Sequence, residues 1–83
     1  MLLQTGITHF HGIVLNKVEA DVFRNKEKRL RNRIDRGHFE VTQYVLTEIK
    51  EFAGESEVNR QVFEAIRKDA SDRWKRNWGQ FPS

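Results

Sequence analysis

Val41-Thr42-Gln43-Tyr44-Val45-Leu46-Thr47-Glu48-Ile49-Lys50-Glu51-Phe52-Ala53-Gly54 is the stretch whose reading decides the fold. Val41, Tyr44, Val45, Ile49 and Phe52 return at three- and four-residue steps, with Leu46 and Ala53 widening the same stripe. That period belongs to an amphipathic helix with one buried face, and Gly54 is a natural stop for it. The spacing predicts a helix over about 40–53 at the centre of the core. On its C-terminal side Ser56 is a candidate N-cap, followed by Val58, Val62, Phe63, Ile66 and Ala70 on one side. The same spacing reaches Trp74 and Trp78, which predicts a helix over about 57–78, although Asp69 to Asp72 is a place where it could break.

On the N-terminal side lies a run of charge, Arg24-Asn25-Lys26-Glu27-Lys28-Arg29-Leu30-Arg31-Asn32-Arg33-Ile34-Asp35-Arg36. Phe23, Leu30 and Ile34 share one helical line, Glu27 fills the remaining slot on it, and Gly37 ends the pattern. A helix over about 26–36 is expected. Farther back, Ile7-Thr8-His9-Phe10-His11-Gly12-Ile13-Val14-Leu15 is uncharged, β-branched and aromatic, and reads as a strand. Residues 16–24 have two readings. A turn at Asn16-Lys17 makes Val18–Arg24 the partner strand, placing Leu15 opposite Val18 and Ile13 opposite Ala20. Alternatively, Asn16 caps a helix with Glu19 at N3, an approximate capping box. The fold expected is mainly α (α+β): a short N-terminal β strand or hairpin packed with about three helices in a single compact domain spanning 1–83. Its core would hold Ile13, Leu15, Val22, Leu30, Val41, Val45, Ile49, Phe52, Val62, Phe63 and Ile66, with a loose tail at 79–83.

Eighty-three residues leave room for one core, which buries only about 60–65% of the unfolded chain's surface. A homodimer or another partner would supply burial that the chain lacks alone. There is no cysteine, which excludes disulfides and thiolate zinc sites and suits a cytoplasmic setting. No apolar run approaches the ~18 residues of a membrane span, and the first residues lack the pattern of a signal peptide, so no membrane partner is expected.

The net charge is +3, unevenly spread. The run from Arg24 to Arg36 has seven of the fifteen Lys and Arg residues, and Arg73-Trp74-Lys75-Arg76-Asn77-Trp78 forms a second basic stretch. On a helix, Arg24, Lys28 and Arg31 form one row, and Lys26, Arg29, Arg33 and Arg36 another. Arginine pairs oxyanions through a planar fork of donors, so phosphates are the natural target of such rows. Trp and Arg together also suit base stacking or a protein anchor. The plain alternatives are a solvated helix face, with Glu27 pairing Arg31 one turn on, and tryptophans that close the core. The candidate binding residues for nucleic acid or an acidic partner are Lys26, Lys28, Arg29, Arg31, Arg33, Arg36, Arg73, Lys75, Arg76 and Trp78.

Familiar DNA-reading frames fail. With Gly37 as the ninth residue of a helix-turn-helix, the positions that must be apolar hold Asn32, Arg36, His38, Gln43 and Leu46. With Gly54 there, they hold Ile49, Ala53, Glu55, Arg60 and Phe63, and the reading helix opens with acids. Any contact with nucleic acid would be led by the backbone. His9 and His11 share a face if 7–15 is one strand, and His38 precedes Glu40 by two residues. Those are zinc-type ligands, but nothing in the spacing makes them converge, and no metal or other cofactor is expected. There is no phosphate loop or nucleophile motif, leaving only His9 or His11 as a conceivable general base. The expectation is a non-enzymatic nucleic-acid-binding or regulatory accessory protein; the alternative is a modulator that docks its basic, tryptophan-bearing surface on an acidic protein.

Overall fold

The computed structural model describes residues 7–80. Two short strands, β1 (Ile7–Phe10) and β2 (Ile13–Asn16), are followed by α1 (Lys17–Asp35), α2 (Phe39–Ala53) and α3 (Glu57–Trp78). The mainly helical fold with an N-terminal hairpin is therefore present, as one globule. The expected loose tail beyond residue 80 and the first six residues lie outside the described residues.

The hairpin closes earlier than either reading of residues 7–24 allowed. β1 and β2 are antiparallel, with Ile7 opposite Asn16, Thr8 opposite Leu15, His9 opposite Val14 and Phe10 opposite Ile13. The loop is His11-Gly12, with φ of 54° and 78°. Positive φ at both central residues is the signature of a type I′ turn, whose twist matches that of paired strands. Glycine accepts that conformation freely, and histidine is among the residues enriched there. Residues 7–15 are thus two strands, not one, and His9 and His11 do not share a strand face.

Residues 18–24 are helical, which overturns the Val18–Arg24 strand and the expected helix start near Lys26. The physical reason is the cap: the Asn16 side chain accepts from the Val18 backbone N–H at 2.7 Å. The capping box is only half made, because Glu19 accepts from Asn59 Nδ2 at 3.4 Å and does not return to residue 16. Starting at Lys17 lets Ala20 and Phe23 join Leu30 and Ile34 on the buried line of α1.

Each helix then lays one stripe on a shared core: Phe10 and Leu15 from the hairpin; Ala20, Phe23, Leu30 and Ile34 from α1; Val45, Leu46, Ile49 and Ala53 from α2; and Val62, Phe63, Ile66, Ala70 and Trp74 from α3. Ile13 packs against this cluster from a half-buried position. Three more of the expected core residues are not fully buried. Val22 is intermediate, Val41 is 38% exposed and Phe52 is 37% exposed. Val41 sits in the first turn of α2. Phe52 lies on the flank of the stripe and meets Phe23 edge-on, with ring centroids 5.0 Å apart.

The turns between helices set the geometry of the end where α1 and α3 finish. α1 closes in a Schellman motif: His38 N–H donates to Arg33 O at 3.1 Å and Gly37 N–H to Ile34 O at 2.9 Å, around Gly37 at φ 71°. Short connections reverse the chain twice, so α1 and α3 run the same way and finish at the same pole. There Arg73 makes a two-pronged contact with Asp35, Nε to Oδ1 and Nη2 to Oδ2, both at 2.9 Å. Asn77 Nδ2 donates to the same Oδ1 at 2.9 Å, and Trp78 Nε1 donates to Ile34 O at 2.6 Å. Asp69 to Asp72 does not interrupt α3, because Ala70 faces the core and Asp72 meets Lys68 at 3.5 Å one turn back.

Candidate nucleic-acid interface

The cations of the basic run divide by what they touch. Arg24 pairs with Asp21 at 2.8 Å and covers the Phe10 ring. Lys26 stands over the Phe52 ring, its Nζ 5.8 Å from the centroid. Arg29 reaches across to Glu48 on α2 at 3.0 Å, and Arg31 turns back to Glu27 at 3.1 Å. Arg33 is half-buried, and its Nε is shielded from water without an acceptor among the described residues. The rows that look continuous on a helical projection are therefore largely engaged within the fold. Lys28 and Arg36 are exposed and have no carboxylate partner among the described residues.

The second basic stretch divides likewise. Arg73 is committed to Asp35, and that contact lowers the Asp35 carboxyl below its ordinary 3.8. The hydrogen bond from Arg73 is the largest cause, with help from Asn77 and from the charges of Arg73 and Arg31. The Arg73 guanidinium is correspondingly raised by its hydrogen bond to Asp35. Lys75 and Arg76 are exposed in the last turn of α3 and have no carboxylate partner among the described residues. Trp74 is a core residue, 7% exposed, with its ring against Phe39 at 5.5 Å. Trp78 is 51% exposed, yet held at one edge by its bond to Ile34.

What the fold brings together is thus a subset of the ten candidate residues. Arg36 directly precedes Gly37, and Gly37 lies under the Trp78 ring, close enough that a Cβ there would stand 3.2 Å from Trp78 Cζ2. Lys75 and Arg76 lie within the same final turn as Trp78. Arg36, Lys75 and Arg76 therefore lie at the same pole as the half-exposed indole, with Arg76 turned to another side of α3. Two helix C-termini converge there, and cations in their last turns offset the partial negative charge of the carbonyl ends. At the opposite end, between α2 and α3, an open depression of about 610 Å³ is lined by Lys50, Glu51, Glu55, Arg60 and Glu64 among others, with acids in excess. The molecule carries opposite charge at its two ends.

One polar pair was not foreseen. His11 Nε2 lies 2.6 Å from Glu27 Oε2, and Glu27 is only 4% exposed. Its signal was an acid sitting on the apolar line of α1. Arg31 holds the other carboxylate oxygen, so Glu27 anchors the hairpin turn to α1. No group of three or more His, Asp or Glu side chains among the described residues is placed to hold a metal ion. No helix among them is long and apolar enough to cross a membrane. Comparison with protein-family models, with curated proteins and with solved structures finds no match.

Proposed function

We propose that this chain is a small, non-enzymatic nucleic-acid-binding accessory protein that grips phosphates at the pole where α1 and α3 end. The observation that carries the reading is the docking of the two helix ends, through Arg73 on Asp35 and Trp78 on Ile34. It brings three cations without carboxylate partners among the described residues, from two distant stretches of sequence, to the end of the molecule that carries one exposed indole. Phosphate is the complementary chemistry, because the nearby carboxylates of Asp35 and Asp72 are already engaged by Arg73 and Lys68. The footprint is small, so affinity rests on about three phosphates and depends strongly on salt.

A titration of the protein with a labelled oligonucleotide across a range of salt tests this. Binding at ~50 mM salt should weaken on a log–log plot with a slope of about −2 to −3, and replacing Arg36, Lys75 and Arg76 together by Glu should abolish it. Replacing Arg29 and Arg31, which already face Glu48 and Glu27, should do much less. Absence of binding at ~50 mM salt would refute the proposal. The exposed Val41 and Tyr44 on α2 favour the second reading, a surface for an acidic protein partner. That reading gains if lysate capture depends on the same three cations while oligonucleotides do not bind.

A further inference from the structure

Trp78 combines two properties that seldom coincide in a residue that only closes a core. Half of it is in contact with solvent, whereas Trp74 one turn earlier is 7% exposed. Yet its ring is fixed on three sides. Nε1 donates to Ile34 O, an oxygen that also accepts from Gly37 N–H, so the indole uses that carbonyl's second lone pair. The six-membered ring lies over Gly37, where no side chain intervenes. The Trp74 ring stands behind it, 6.2 Å away and tilted by 52°. A side chain held in this way has little rotamer freedom left to lose when something binds it.

The nearby carboxylate, Asp35, is engaged by Arg73 and Asn77. Lys75 and Arg76 share the helical turn of Trp78 and Arg36 its glycine neighbour, and none of the three meets a carboxylate among the described residues. A rigid, half-exposed indole at a pole with free cations provides what a single strand needs: a π-face for a base and donors for its phosphates. A duplex fits less well. Its bases are stacked on one another, and an indole clamped at a convex helix end cannot reach between them without unstacking a step.

We infer that Trp78 is the stacking platform for an unpaired base of single-stranded nucleic acid, with the cations of the same pole, Arg36, Lys75 and Arg76, holding phosphates of that strand. The inference rests on the phosphate-binding reading above and adds the class of strand. Stacking itself does not read base identity, because every base has a π-face.

The test uses the intact protein and three probes of equal length, about 12 nucleotides: a thymidine single strand, a duplex and an abasic single strand. The thymidine strand should bind best and quench tryptophan emission, while the abasic strand binds without quenching. Trp78→Leu should weaken thymidine binding about 5- to 100-fold, down to the level of the abasic strand, and Trp78→Phe should fall between. Circular dichroism confirms that each variant folds, and quenching of the unsubstituted protein gives a readout that needs no variant. Equal affinity for all three probes, or binding indifferent to Trp78→Leu, overturns the stacking inference and leaves the phosphate reading standing. Failure of every probe to bind at ~50 mM salt overturns both.

Discussion

Replacing Glu27 by methionine should leave the protein about as stable as before, although it removes a carboxylate that pairs with Arg31 and hydrogen-bonds His11. Glu27 is 4% exposed, so its charge has been taken out of water, at an effective cost of several kcal/mol. Its two contacts, His11 at 2.6 Å and Arg31 at 3.1 Å, each return about 1.5–3 kcal/mol when one partner is charged. The two sides nearly cancel. Both partners also have somewhere to go: the Arg31 side chain is 45% exposed and the His11 side chain 23%, so each regains water once the carboxylate is gone. Methionine keeps the volume on the Phe23, Leu30 and Ile34 line without desolvating a charge. The expected change is within about 1 kcal/mol of zero. Glu27→Ala differs, because it also empties space beside Leu30 and should cost about 2–3 kcal/mol. Urea denaturation followed by circular dichroism measures both, and hydrogen exchange in the hairpin reports whether the His11 turn loosens. A loss above about 3 kcal/mol for Glu27→Met, equal to that of Glu27→Ala, would refute this reasoning. It would mean that the polar contacts stabilise the fold well beyond their desolvation cost.

Two further outcomes follow from the joined helix ends. Asp35 titrates below 3.8 in the folded protein, so it binds its proton more readily when unfolded. The stability it contributes is complete above that value and is lost as pH falls through the folded-state pKa. The stability difference between the native protein and Asp35→Asn should therefore be constant near neutrality and shrink below pH 3.8; a difference that grows on acidification would contradict the contact. Gly37→Ala should cost more than Gly12→Ala by about 0.5–1 kcal/mol in thermal or urea denaturation. Both positions have positive φ, but a Cβ at residue 12 meets nothing within 4 Å while one at residue 37 presses on Trp78. Equal costs would place the indole elsewhere.

The helices were legible where one physical signal acted alone. Val45, Ile49, Val62 and Ile66 repeat at helical spacing with nothing competing, and the structure buries all four. Between residues 7 and 24 two signals competed. β-branched and aromatic composition spoke for a long strand, while Gly12, an isolated glycine within it, marked the turn and was outweighed. Asn16 capping was visible, but so was a turn at the same residue, and only the bond to Val18 N–H separates them. The site was less legible for a different reason. A helical projection sorts cations into rows by angle, yet Glu48, Asp35 and Phe52 come from elsewhere in the chain or from a neighbouring helix. Which arginines are taken and which are left free is a tertiary property. The sequence held the ten candidates and the pairing of Glu27 with Arg31; the packing of α1 against α2 and α3 takes up Arg29 and Arg73 and leaves Arg36, Lys75 and Arg76 without carboxylate partners among the described residues.

That packing also has a bearing on the order in which the molecule forms. The hairpin joins residues a few positions apart, and each helix closes on itself through local bonds. The bonds from Trp78 to Ile34 and from Arg73 to Asp35 span 44 and 38 residues of chain. Closing loops of that length costs entropy before any contact is gained, so such contacts come late in folding and are among the first to open. The cationic pole is then complete only once α3 has docked on α1. A ligand bridging its two halves would act as a fastener, slowing the separation of α3 from α1.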